Sequence, residues 1–169
     1  MFIAVVQHTP VWVWGLLAGL IAVGLSQTRD REVSLARVTI LPLVMIALSL
    51  AGVFNAFGHA PIALGGWAAG VGTALMFGRQ FIAVRGASFA RRTATLHVPG
   101  SWLPLTLIVG LFTVKYFAGA SLALQPGLSA DPAFAGAISL AYGGFSGLFL
   151  ARGLALRDLA RRPVGVLTA

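Results

Sequence analysis

One apolar stretch, between Ser101 and Gln125, most constrains what this chain can fold into. As a helix its 23 residues, 102–124, would be about 34 Å long, and the hydrocarbon core of a bilayer is about 30 Å thick. One charge, that of Lys115, lies near the middle of the stretch. The stretch therefore predicts a transmembrane helix that carries one ionisable side chain at hydrocarbon depth.

The composition indicates that lipid is the main solvent of the whole chain. Of its 169 residues, 58% are hydrophobic and 9% are charged, whereas soluble globular proteins carry about 25% charged residues. So few charges cannot cover a surface that faces water. The absence of cysteine excludes disulfides, thiolate catalysis and cysteine metal sites. Residues 1–8 hold no Lys or Arg, so a secretory signal peptide is not expected.

Helix-start signals divide the chain into five predicted spans of one all-α membrane domain, residues 1–169. Thr9-Pro10 and Asp131-Pro132 each pair a capping residue with proline at the first helical position, where its missing N–H costs nothing. Thr39 is the expected cap of the second span, which places Pro42 in the first turn. The spans cover about residues 10–26, 40–57, 61–80, 102–124 and 132–152, with connections 27–39 and 81–101 and a tail 153–169.

Two segments outside the spans are also predicted to be ordered. Thr93, Thr95 and His97 alternate with apolar residues, and this period of two predicts a short amphipathic hairpin. Arg85-Gly86 is the expected turn of that hairpin. The fifth helix is expected to continue as an amphipathic tail to about Arg162.

Arginines mark one side of the predicted bundle. Lys115 is one of 12 Lys and Arg residues, and the others all lie in the two connections, at span ends or in the tail. They are Arg29, Arg31, Arg37, Arg79, Arg85, Arg91, Arg92, Arg152, Arg157, Arg161 and Arg162. The positive-inside rule then puts the N-terminus outside and the C-terminus in the cytoplasm of a bacterial inner membrane. The basic face predicts attraction to anionic lipid rather than to nucleic acid.

Two of the spans begin alike, which suggests an internal repeat. Thr39-Ile-Leu-Pro-Leu and Ser101-Trp-Leu-Pro-Leu match at an offset of 62 residues. Spans one and two would then repeat as spans three and four, parallel about an axis along the membrane normal. The alternative is that hydroxyl-x-Leu-Pro is simply a good start for a membrane helix.

Three motifs carry a resemblance to a known family. QHTPVWVW (7–14), LPL (41–43) and HVPGSWLPL (97–105) together resemble a family of small uncharacterised bacterial inner-membrane proteins, a domain-of-unknown-function family. The resemblance covers nearly the whole chain. It implies location and fold and no chemistry, so no functional residue is assigned from it.

Lys115 is the candidate functional residue because a charge at the bilayer centre costs from about 3 to over 10 kcal/mol, depending on the method. No Asp or Glu lies inside any predicted span. The amine can be neutral because of desolvation, can face a hydrated cavity and hold an anion, or can snorkel toward the interface. The predicted ligand site joins Lys115 with Tyr116, Asn55 and Tyr142. The alternative is a lysine that hydrogen-bonds carbonyls and hydroxyls inside the bundle.

Small residues recur every four positions on spans three and five, and such faces let helix backbones approach closely in lipid. They are Gly66, Gly70, Ala74 and Gly78 on span three and Ala135, Ser139, Gly143, Gly147 and Ala151 on span five. These faces predict packing within the chain. The alternatives are a homo-oligomer or a contact with another membrane protein.

Three function classes follow from these residues. The first is a transporter-like or small-ligand-binding protein with its site at Lys115, and the second is an accessory subunit whose small-residue faces bind another membrane protein. The third is a haem or metal redox protein that uses His8 and His59, which share a depth near the outer surface. Two histidines fall short of a usual zinc site, so no metal site or cofactor is predicted. No G-x-S-x-G or H-E-x-x-H motif occurs, and no catalytic residue is assigned.

The predicted threading can be tested with reporter fusions at the two chain ends. A reporter that works only outside the cytoplasm should be active at the N-terminus and silent at the C-terminus, because five crossings separate the two ends. Activity at both ends, or at neither, would contradict the threading.

Overall fold

Helices dominate the protein, whose computed structural model describes residues 11–81, 86–90 and 95–161. The five helices are α1 (Val11–Ser26), α2 (Leu35–Phe57), α3 (Pro61–Phe81), α4 (Leu103–Leu124) and α5 (Pro132–Arg161). Short elements occupy the connections: strands β1 (Arg31–Ser34), β2 (Ser88–Ala90) and β3 (Thr95–Val98), and a 3₁₀ helix (Pro126–Ala130).

Four helices are long and apolar enough to cross a membrane: α2, α3 over Pro61–Gly78, α4 and α5. Large apolar side chains cover their outward faces; Met76 is 71% exposed and Phe117 is 57% exposed. Such an exterior suits lipid and is compatible with a membrane protein. The 16 residues of α1 extend about 24 Å, and the predicted start at Pro10 lies outside the described residues. A fifth crossing therefore stays a prediction.

The first residues of α2 and α5 show how caps set the helix boundaries. Asp131 Oδ1 accepts a hydrogen bond from the Phe134 N–H at 2.9 Å, so the cap predicted at Asp131 is present. The start predicted for α2 at Thr39 is wrong. Ser34 is the cap, its Oγ accepts from the Arg37 N–H at 3.4 Å, and the helix therefore begins at Leu35 rather than at Ile40.

The earlier start leaves Pro42 inside α2 rather than in its first turn. Proline inside a helix frees the carbonyl four residues before it, here that of Val38. A Cβ on Gly153 of α5 would lie 2.6 Å from Pro42 Cγ and 3.0 Å from the Val38 oxygen. The missing side chain at Gly153 thus lets α5 lie directly against the proline turn.

The central helix of the bundle is α5, the most buried of the four long helices. It packs along α3 and α2 and also contacts α4, while α1 packs on α4. A two-helix repeat would give α1 and α3 equivalent surroundings, and these contacts do not confirm it. Within the described residues, one core cluster surrounds α5 and comprises Val53, Phe57, Ala63, Ala118, Ala135, Ile138 and Tyr142.

Small residues form the contact between α3 and α5. A Cβ on Gly66 would lie 2.7 Å from the Gly136 carbonyl oxygen, and one on Gly143 would collide with the Trp67 carbonyl oxygen. Gly70 likewise faces the backbone of α5. The two predicted faces therefore pack on each other within one chain, in parallel. Further predicted members are buried: Ala74, Gly78, Ala135, Ser139, Gly147 and Ala151.

A three-stranded antiparallel sheet, in the order β1-β3-β2, joins the two basic connections. Leu96 of β3 pairs with Val33 of β1 on one side and with Phe89 of β2 on the other. Fully buried, Leu96 packs in a cluster that includes Val38 of α2 and Leu156 of α5. The sheet therefore places both connections at the same end of the bundle as the C-terminal part of α5.

The sheet corrects two predictions. The all-α description is incomplete, because β1 forms in the first connection; its sequence REVS buries only Val33, too short a pattern to predict a strand. The turn of the hairpin is also misplaced. β2 and β3 are joined through residues 91–94, which lie outside the described residues, whereas Gly86 precedes both strands.

Backbone contacts fix the first connection beside the segment before α4. The Gly100 N–H donates to Asp30 Oδ1 at 2.8 Å, and the Ser101 N–H donates to the Gln27 carbonyl at 3.1 Å. A Cβ on Gly100 would collide with the Thr28 carbonyl oxygen. Glycine is therefore required where the two connections cross.

The α3–α5 contact predicts a difference between two adjacent glycines. Gly143→Ala should lower the free energy of unfolding by about 1–3 kcal/mol, the usual cost of overpacking, because the new methyl meets the Trp67 backbone. Gly144→Ala should be neutral, because nothing lies within 4 Å of a Cβ there. Thermal or chemical unfolding in detergent compares the two variants; equal stability would contradict the packing.

Candidate functional site

The Lys115 side chain extends from α4 toward α2 across the surface of α5. Its Nζ lies 5.4 Å from the centroid of the Tyr142 ring on α5, within the range of a cation–π interaction. On α2, a Cβ added to Gly52 would lie 3.2 Å from the same nitrogen. Lys115, Gly52 and Tyr142 are called the Lys115 site below.

Local sequence explains how the Lys115 site forms. Gly52 has no side chain, which leaves room for the ammonium and for the Tyr142 ring, whose Cε2 would lie 3.5 Å from an added Cβ. Tyr142 is 5% exposed, so packing fixes its ring. By helix rise, Lys115 lies about 14 Å from the Leu124 end of α4 and about 18 Å from the Leu103 end. The site is therefore near the middle of α4, the depth that the sequence predicts for Lys115.

The electrostatics of the Lys115 site leave room for an anion. The chain has four acidic residues, all of which lie outside α2, α3 and α4: Asp30, Glu32, Asp131 and Asp158. The Tyr142 ring contributes about 0.5–2 kcal/mol as a cation–π partner, less than the about 3 kcal/mol or more that a charge costs at the bilayer centre. Because Lys115 is exposed on the bundle, a lipid-borne or partner-borne carboxylate or phosphate can reach it from the side.

The other two predicted site residues lie at different positions around Lys115. Tyr116 follows Lys115 on α4, about 100° further round the helix, and its ring stacks on Phe112 with centroids 6.2 Å apart. Asn55 is exposed on α2, three residues after Gly52 and thus on the same face. The structure therefore brings Tyr142 to Lys115, places Asn55 one turn away and turns Tyr116 toward another face.

Two buried hydroxyls lie on the same face of α5 as Tyr142. Ser139 precedes it by three residues and Ser146 follows it by four, and both are 0% exposed. Neither hydroxyl has a hydrogen-bond partner in the part of the chain that the structure describes. Ser49 of α2, in contrast, accepts a hydrogen bond from Trp67 Nε1–H at 2.9 Å.

The sequence does not identify most of the residues that line this face of α5 and the Lys115 site. Ser139 was predicted only as a packing residue, and Ser146 and Gly52 were not predicted. The signal available was the spacing of Ser139, Tyr142 and Ser146, three polar residues at i, i+3 and i+7 in an apolar helix. Nothing in the sequence marks Gly52, because its role depends on a lysine from another helix.

The histidine hypothesis stays a prediction. His8 lies outside the described residues. His59 is exposed between α2 and α3, and its ring centroid lies 5.0 Å from that of Phe54. Among residues 11–81, 86–90 and 95–161 no group of three or more His, Asp or Glu could hold a metal ion.

The chain is similar to a known protein family and to a protein of another organism. A family model matches residues 1–165. The chain belongs to DUF6622, a family of unknown function, and the resemblance carried by its motifs is thereby confirmed. Over 75 residues it is 32% identical to an uncharacterised protein of Pasteurella multocida (strain Pm70), a match that covers 44% of this chain and 57% of that protein. No solved structure matches the chain. Membership in DUF6622 assigns no chemistry, so function rests on the geometry of the Lys115 site.

The two kinds of buried serine predict opposite outcomes for the same substitution. Ser49→Ala should lower the free energy of unfolding by about 1–3 kcal/mol, because the partly buried Trp67 N–H loses its acceptor. Ser146→Ala should leave it unchanged or raise it, because the hydroxyl has no partner among the residues that the structure describes. Equal destabilisation in unfolding measurements would mean that a bound water or ligand holds Ser146.

Proposed function

We propose that this DUF6622 protein crosses a bacterial inner membrane five times, with its N-terminus outside and its C-terminus in the cytoplasm. The sheet supports this threading, because it gathers the two basic connections and the C-terminal part of α5 at one end. The other end, formed by residues 58–60 and the 3₁₀ helix Pro126–Ala130, contains no Lys or Arg. The positive-inside rule assigns the end that is rich in Lys and Arg to the cytoplasm.

The proposed activity is the binding of a small anionic amphiphile at the Lys115 site, as in a transporter-like or small-ligand-binding protein. One observation carries it: an ammonium at hydrocarbon depth faces the Tyr142 ring and is open to the side of the bundle. An ionisable group in that position is by default a functional-site hypothesis. A carboxylate or phosphate would supply the charge that the four long helices lack around Lys115.

The surroundings of the Lys115 site suit a ligand with an apolar chain. On α2, Leu48 and Val44 lie one and two turns before Gly52 on the same stripe, and they are 55% and 44% exposed. A head group at Lys115 would leave its chain along this stripe, among lipid tails. A free polar anion would first have to leave water and cross apolar surface, which is costly.

The accessory-subunit alternative loses part of its support. The small-residue faces that were to bind a partner contact each other between α3 and α5. A partner could still place a carboxylate against Lys115 from the side. Purification would show whether the protein self-associates or carries a foreign partner. A partner carboxylate paired with Lys115 is therefore the alternative to a small ligand.

The proposal predicts selectivity for charge at the ligand head. In lipid nanodiscs, oleate should bind the wild-type chain at least tenfold more tightly than methyl oleate, because only the carboxylate can pair with the ammonium. Lys115→Met should abolish this ratio. Tyr142→Leu should reduce it less, because it removes only the cation–π contact. Fluorescence displacement or calorimetry measures the ratio.

The matched control is Arg157→Gln, which also removes one positive charge but at an exposed position near the C-terminal end of α5. It should keep the oleate preference of the wild type. An unchanged preference in Lys115→Met, with normal insertion, would remove the site. A partner protein that co-purifies only with the wild type would favour the accessory role.

A further inference from the structure

Arg31 lies on the inner face of the sheet. In β1, burial alternates so that Arg31 and Val33 are turned inward while Glu32 is exposed. The register pairs Arg31 with Val98, which is 2% exposed. Because Val33 and Val98 belong to the cluster that packs on α5, the Arg31 side chain begins on the face of the sheet that points toward that helix.

Arg152 approaches the same place from α5. It lies one turn before Leu156, on the same side of the helix, and it is partly buried. Leu156 packs in the same cluster as Val33 and Val98, so Arg152 and Arg31 both border the contact between the sheet and α5. β1 and α5 thus each bring a partly buried arginine to this contact.

The hydrogen bond that the structure gives Arg31 goes to a neutral group. Arg31 Nη2–H donates to Gln27 Oε1 at 2.8 Å, and the Asp30 carboxylate accepts from the Gly100 N–H through Oδ1. Glu32 is on the opposite face of β1. Burial and the neighbouring Arg37 charge lower the pKa of Arg31, which is the effect expected of a partly desolvated cation beside others of its sign.

We propose that Arg31 and Arg152 hold a phosphate group between the sheet and α5. Guanidinium forks match the spacing of phosphate oxygens and tolerate partial burial better than an ammonium does. By helix rise, Arg152 lies about 30 Å from Pro132, one hydrocarbon thickness along α5. That depth is where lipid phosphates lie, although free phosphate has the same chemistry. The site is separate from the Lys115 site and does not depend on it.

Native mass spectrometry of the full chain in detergent tests the proposal, with phosphatidylglycerol and inorganic phosphate as the probes. The wild type should retain phosphatidylglycerol, and Arg31→Gln and Arg152→Gln should each reduce the retained fraction at least fivefold. Arg157→Gln and Arg161→Gln, exposed positions on the same helix, should stay within twofold of the wild type. Equal losses in all four variants, or no loss in any, would overturn the site.

Two further measurements distinguish a lipid phosphate from free phosphate and control for unfolding of the variants. Displacement of the lipid by millimolar inorganic phosphate would assign the site to the free anion, whereas persistence would assign it to the lipid head group. Arg31→Lys keeps the charge but loses the fork, so it should retain less lipid than the wild type while melting at a similar temperature. Full retention by a folded Arg31→Lys would count against fork recognition and overturn the proposed geometry.

Discussion

Close backbone contact between α3 and α5 is the constraint on which the rest of the bundle depends. Lipid removes the usual driving force for burying apolar side chains, so membrane helices associate through van der Waals contact between surfaces that fit. Gly66, Gly70 and Gly143 provide such surfaces, because each lets one backbone touch the other. With α3 fixed on one side, the remaining faces of α5 point toward α2 and α4.

Those remaining faces of α5 create the two candidate sites at different depths. In the hydrocarbon region Tyr142 meets Lys115 from α4 beside Gly52 of α2, so the lysine faces an aromatic ring rather than a carboxylate. Near the sheet, Arg152 approaches Arg31, and the polar connections meet the basic end of the bundle. A single long helix thus contacts Lys115 through Tyr142 and carries Arg152 beside the sheet.

The sequence predicts the elements of this fold better than their contacts. Local patterns can be recognised in the sequence itself. They include apolar runs, caps such as Asp131 and the four-residue spacing of small residues. β1 escaped prediction because a four-residue strand with one inward apolar side chain gives almost no pattern. The role of Gly52 and the nearness of Arg31 to Arg152 arise only when distant segments pack. Tyr142 was predicted as a neighbour of Lys115 from its chemistry, whereas the orientation of Tyr116 required the structure.

The contact between Lys115 and Tyr142 is the central claim, and solid-state NMR in bilayers tests it most directly. The chain has one lysine and two tyrosines, so ¹⁵N-lysine and ring-¹³C-tyrosine labels give few, assignable signals. The account predicts transfer between the Lys115 Nζ and a tyrosine ring that disappears in Tyr142→Phe and persists in Tyr116→Phe. Transfer that persists in Tyr142→Phe and disappears in Tyr116→Phe, or no transfer in the wild type, would contradict it.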